Sequence, residues 1–118
     1  MSYDRATVAR PSFPLTVAAA GTTVTSAAMG LNGILVGLTA IVPALDNAAT
    51  LAVSVADADG TVLYNKSGIA APSQTAFLID VNNMYLRIPV SGAHTVTVTT
   101  SAAQTTQKAV TVKLLISK

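Results

Sequence analysis

The 118-residue chain has no cysteine and no tryptophan, and its five acidic residues are all aspartate. Without cysteine there is no disulfide framework, no thiolate metal site and no cysteine nucleophile. Many small secreted domains rely on disulfides, so the composition stands mildly against that class. The missing glutamate weakens a calcium reading of Asp57-Ala58-Asp59-Gly60, which looks like the start of an EF-hand loop. Such a loop closes on a glutamate at its twelfth position, and the twelfth residue counted from Asp57 is Gly68.

Charge is scarce as well, at 10% of residues, and aromatics make up 4%. The cations Arg5, Arg10, Lys66, Arg87, Lys108, Lys113 and Lys118 are scattered along the chain, giving a net charge of only +2. A nucleic-acid binder needs several phosphate contacts from one face, with aromatics for stacking on single strands. No nucleic-acid partner is therefore expected. Long apolar runs are also missing. The best, Ile34 to Val42, is interrupted by Gly37 and Thr39 and falls short of the roughly 18 residues of a membrane span. The polar start, Met1-Ser2-Tyr3-Asp4-Arg5, has no signal-peptide core, so synthesis in the cytoplasm without export, and no membrane partner, are expected.

The sparse reactive residues do not assemble into a catalytic pattern. His94 is the single histidine, and a triad would need a nucleophile beside it and a carboxylate behind it. Ser91 is near in sequence but lacks a nucleophile-elbow pattern. One histidine and dispersed aspartates make a zinc site improbable, and the expectation is a surface histidine at a strand end. Asp46, Asp57, Asp59 and Asp80 could pair for glycoside hydrolysis only if two faced one aromatic-lined cleft. Asp46-Asn47 and Asp80 beside Asn82-Asn83 read as turns instead. No enzymatic activity, cofactor, metal or catalytic residue is assigned.

What the chain has in abundance is alternation of period two. Val96 and Val98 alternate with Thr95, Thr97 and Thr99, and Val110, Val112, Leu114 and Ile116 with Thr111, Lys113, Leu115 and Ser117. These two runs, joined by a polar loop, read as an antiparallel pair. Leu51, Val53 and Val55 alternate likewise before Asp57 to Gly60, and Val62 and Tyr64 follow. Asp-Gly between such runs predicts a hairpin, because both residues tolerate positive φ. Further strands are expected at Gly33 to Val42, Thr75 to Val81 and Met84 to Val90. Pro89 belongs at a sheet edge or strand end, since it cannot donate to a ladder. Leu15 to Ala20 and Thr22 to Ala28 read as short strands, with a helical turn at Val17 to Ala20 as the alternative.

Seven or eight short strands, regular turns and no helix predict an all-β domain, a sandwich in preference to a small barrel. The expected architecture is an antiparallel β-sandwich, immunoglobulin-like or jelly-roll-like, over residues 15–118. Residues 1–14, broken by Pro11 and Pro14, read as an extended N-terminal arm. Tyr3, Arg5, Arg10 and Phe13 concentrate scarce aromatics and cations there. An arm that reaches onto a neighbour is favoured over a disordered tail. Tyr85 and Arg87 share one face of their segment. They read either as an edge-strand guard against aggregation or as an interface anchor, since both types are enriched at contact hot spots. The candidate interface is thus Tyr3, Arg5, Arg10, Phe13, Tyr85 and Arg87.

From Leu51 to Lys118 the strand-and-turn patterning resembles the small β-sandwich structural proteins of tailed-phage virions, most of all capsid decoration (cement) proteins. The resemblance is carried by Val53 to Tyr64 with its Asp-Gly turn, and by Arg87-Ile88-Pro89-Val90-Ser91-Gly92 leading into Thr95-Val96-Thr97-Val98. It implies a homo-oligomeric dimer or trimer on the capsid exterior, bound to the major capsid protein. Ligands that bind only the assembled shell stabilise it. A carbohydrate- or receptor-binding module of a tail or fibre, and a head–tail connector or tail subunit, are the alternatives.

Overall fold

The computed structural model describes residues 8–78, 82 and 84–118. Among these, nine strands form: β1 (Val8–Ala9), β2 (Ser12–Val17), β3 (Thr23–Thr25), β4 (Met29–Val42), β5 (Leu51–Asp57), β6 (Val62–Ile69), β7 (Ser73–Phe77), β8 (Ile88–Thr100) and β9 (Lys108–Ser117). Every pairing is antiparallel, and the described residues hold no helix. The strand order is β1-β9-β4-β8-β5-β6, with β2 also on β9, β3 on β8 and β7 on β4. The result is sandwich-like and does not close into a barrel.

The long strand β4 changes partners along its length. Its first half, Met29 to Leu35, pairs with β8. From Ile34 to Ile41 it pairs with β9, and from Leu38 to Val42 its other edge takes β7. The change of partner coincides with a register shift between Leu35 and Gly37. Such a bulge bends a strand and increases its twist.

Two glycines make the bend possible. Gly33 sits at φ +136, where a side chain would run into the Ser117 carbonyl oxygen. A Cβ on Gly37 would lie 2.6 Å from Leu78 Cδ2 and 2.8 Å from the Phe77 carbonyl oxygen. Only glycine gives the backbone this freedom and close approach.

Alternation sets which face is buried. Leu51, Val53 and Val55 of β5, Val96 and Val98 of β8, and Val110, Val112 and Leu114 of β9 are all fully buried. Their in-between neighbours are half-buried. Branched side chains suit this pleated surface, and truncating one to alanine costs about 2–5 kcal/mol for leucine. The β5–β6 hairpin forms as expected. Asp57 Oδ1 accepts the N–H groups of Asp59 at 3.0 Å and Thr61 at 2.9 Å, and Gly60 takes φ +82.

Several expectations are corrected. The runs around Val96 and Val112 are not paired with each other, because β4 lies between β8 and β9. Alternation fixes the face of a strand, not its neighbour. The segments Met84 to Val90 and His94 to Thr100 are not two strands. One strand starts at Ile88 and passes through Ser91-Gly92-Ala93 without leaving the ladder, with Gly92 at φ +89 opposite Leu31. His94 therefore lies inside β8 and is buried, not at a surface strand end, and its Nδ1 is 2.8 Å from the Gly92 carbonyl oxygen.

The boundary after residue 14 falls inside β2, whose Phe13, Leu15 and Val17 all point into the core. Phe13 is thus a core residue, not a contact residue. Pro14 faces outward opposite Thr111. Its missing N–H is tolerated because β2 is an edge strand. The expected strand at Thr75 to Val81 is β7, and residues 79–81 lie outside the described residues.

The end of the sandwich where β8 leads into β9 is tied by polar side chains. Gln104, 1% exposed, lies in the β8–β9 connection. Its Oε1 accepts the Asp46 N–H at 2.6 Å, and its Nε2 donates to the Asp46 and Ala102 carbonyls. Its main chain exchanges hydrogen bonds with Ala20 and Gly21. One glutamine thereby fixes three connections to each other. The Asp46 carboxylate accepts from the Thr105 hydroxyl at 2.7 Å and N–H at 3.0 Å, and faces Lys108 Nζ at 3.3 Å. These contacts, the Thr105 hydroxyl first and Lys108 with them, outweigh burial and hold the Asp46 pKa below its ordinary value.

Candidate contact surface

Residues 84–88 carry the most exposed apolar side chains of the described surface. Tyr85 is 81% exposed and Met84 64% exposed. The segment is anchored by Leu86, which is buried and whose N–H donates to the Leu78 carbonyl at 2.9 Å. A buried leucine between two exposed residues turns Tyr85 and Arg87 outward together, as the alternation of an extended chain requires. Sequence and structure therefore agree on where these two side chains stand.

Tyr85, Leu86 and Arg87 form a ridge between two open grooves. On one side of the ridge, a groove of about 530 Å³ is walled by Ile34, Val36 and Leu78. On the other, a groove of about 500 Å³ is walled by Val62 to Asn65. Val62 and Leu78, which belong to these walls, are exposed as well. The ridge is thus a tyrosine and an arginine set in an apolar surround, and the arginine aliphatic stem adds to that surround. Nearby in the fold, Lys66 Nζ stands 5.4 Å from the centroid of the Phe77 ring, within cation–π range.

The other sequence candidates are not gathered here. Arg10 is exposed after β1 and lines the separate groove with Pro11, Leu31, Ile116 and Lys118. Phe13 is in the core. Tyr3, Arg5 and Asp80 lie outside the described residues. Asp46 and Asp57 are held in the turn contacts described above. No group of three or more histidine, aspartate or glutamate side chains able to hold a metal occurs among the described residues.

No known protein family and no curated protein matches the chain. Similar solved structures exist. A Yersinia pseudotuberculosis-derived mitogen is similar at TM-score 0.47 and 8% identity, over 95% of this chain and 87% of that one. The infectious bursal disease virus Gx strain structure is similar at TM-score 0.47 and 16% identity, over 98% of this chain and 34% of that one. The Gt strain structure gives TM-score 0.43 and 15% identity over the same shares. The chain spans about a third of the length of each viral chain.

The exposure of Val62, Leu78 and Met84 was not foreseeable. Val62 has the branched shape of a strand core residue, and the alternation after the Asp-Gly turn assigns its face only once the hairpin register is known. A register shift between Val55 and Ala56 sets that face.

Proposed function

We propose that the chain is a non-enzymatic structural protein of a tailed-phage virion, a decoration protein that binds the outside of the head and bridges major capsid subunits. The observation that carries this reading is the exposed apolar ridge, with Tyr85 at 81% exposure beside Arg87, on a chain with only 10% charged residues. A surface so poor in charge resists association weakly, and contiguous exposed apolar groups mark interaction sites. Tyrosine and arginine together are the residue types that dominate contact hot spots. The strand-and-turn resemblance to cement proteins supplies the kind of partner. Many equivalent sites on a shell turn a modest contact into a stabilising one.

The test is binding of the purified protein to empty capsids of its parent particle, beside a glycan array. Saturable, stoichiometric capsid binding that Tyr85→Ala abolishes supports the proposal. Glycan binding without capsid association sinks it in favour of a receptor-binding module.

A further inference from the structure

One end of the sandwich carries separated charges of opposite sign. A groove of about 370 Å³ there has Pro11, Leu31 and Ile116 among its walls and two cations, Arg10 and Lys118, at its rim. Both cations are exposed. A main-chain carboxylate at residue 118 would still leave this rim net positive.

The β5–β6 hairpin tip stands at the same end. Asp57, where the hairpin begins, is opposite His94 on β8, and His94 is opposite Met29 on β4. Met29 is one residue from Gly30 in the groove wall. Two strand spacings of about 4.8 Å put the start of the tip on the order of 10 Å from that wall. The tip, Asp57-Ala58-Asp59-Gly60, is narrow because Ala58 and Gly60 are small. Asp57 spends one carboxylate oxygen on the N–H groups of the turn. Asp59 is exposed, and its carboxylate has no hydrogen bond or ion pair among the described residues.

We infer that two copies of the chain pair end to end, each placing its Asp57–Gly60 hairpin tip in the Arg10–Lys118 groove of the other. The charge complementarity is between copies: acid and base share an end but are not joined to each other within one chain. A two-fold axis at that end makes the contact reciprocal, so that the same patch meets itself and the assembly closes at two. The occupant suits the site in charge, since the turn carries Asp57 and Asp59 and the groove of about 370 Å³ is lined by Arg10 and Lys118. The variants that test this pairing leave Tyr85 and Arg87 in place, so its outcome is read separately from the capsid reading.

Sedimentation of the full chain at low ionic strength tests it. The expected species is a dimer that dissociates as salt rises to about 0.5 M, where exposed charges are screened within a few ångströms. The double variant Arg10→Glu with Lys118→Glu, and separately Asp59→Lys, should each raise the dissociation constant at least about tenfold. An equimolar mixture of the two variants should dimerise again, because both contacts of the mixed pair are complementary. Circular dichroism establishes that each variant keeps its strands. A wild-type chain that stays monomeric at low salt, variants that dimerise alone as well as mixed, or a loss of dimer that mixing does not rescue would each overturn the inference. Capsid binding by the same variants reads the other proposal separately.

Discussion

The side-chain amide of Gln104 pairs with the main chain of Asp46 in both directions, accepting from its N–H at 2.6 Å and donating to its carbonyl at 3.3 Å. The pairing has the form of a strand bridge made by a side chain, across two loops that no ladder connects. Removing it by Gln104→Ala leaves the part-buried Asp46 N–H without its partner, while the Asp46 carbonyl keeps the Ala49 N–H at 3.2 Å. An unpaired group of this kind costs about 1–3 kcal/mol. The expected result is a lower urea midpoint with an unchanged denaturant slope, read by circular dichroism.

Asp46 also makes stability depend on pH. Its folded-state pKa lies below the ordinary value of 3.8, chiefly through the Thr105 hydroxyl. Its contribution is therefore fully present above that ordinary value and is lost as pH falls through the lowered one. Between about pH 5 and pH 2 the wild-type unfolding midpoint should fall more steeply than that of Asp46→Asn. Equal slopes in chemical denaturation across that window would remove Asp46 from the account.

Gly33 and Gly30 offer a paired test of the bend in β4. Gly33→Ala places a methyl against the Ser117 carbonyl at a φ of +136, and strain of this kind costs about 1–3 kcal/mol. A Cβ on Gly30 meets nothing within 4 Å, so Gly30→Ala should change stability by less than about 0.5 kcal/mol. Thermal melts of the two variants should separate clearly.

Tyr85 and Leu86 should separate contact from packing. Tyr85→Ala leaves the unfolding midpoint within about 0.5 kcal/mol of wild type and reduces capsid binding. Leu86→Ala empties a buried site and should cost about 2–5 kcal/mol. A Tyr85→Ala protein that binds capsids as wild type does would move the contact elsewhere on the surface.

The all-β character and the inward faces were legible because Val53, Val55, Val96, Val98, Val110 and Val112 alternate strictly with small or polar residues. The hairpin was legible because Asp57 and Gly60 meet specific backbone demands. Partnership between strands was not. Nothing in the runs around Val96 and Val112 reveals that β4, more than fifty residues upstream of the first, separates them. Long-range pairing depends on the whole packing, not on a local pattern. His94 was misread for a related reason: Ser91-Gly92-Ala93 has the composition of a turn, but β4 pairs straight through it. On the candidate surface, the exposure of Tyr85 and Arg87 followed from alternation about Leu86. The burial of Phe13 did not, because two flanking prolines mask the strand it belongs to.

The place of β9 beside β1, β2 and β4 has a consequence for how the chain is made. During synthesis β1, β2 and β4 emerge long before β9, which is their common neighbour. Until β9 is available the early strands have an apolar face and open edges with no permanent partner, the condition that favours aggregation. Such non-local pairing is also slow to form. The scarcity of long unbroken apolar runs, with glycine and threonine spaced through β4 itself, then protects the unfinished chain as well as shaping the finished one.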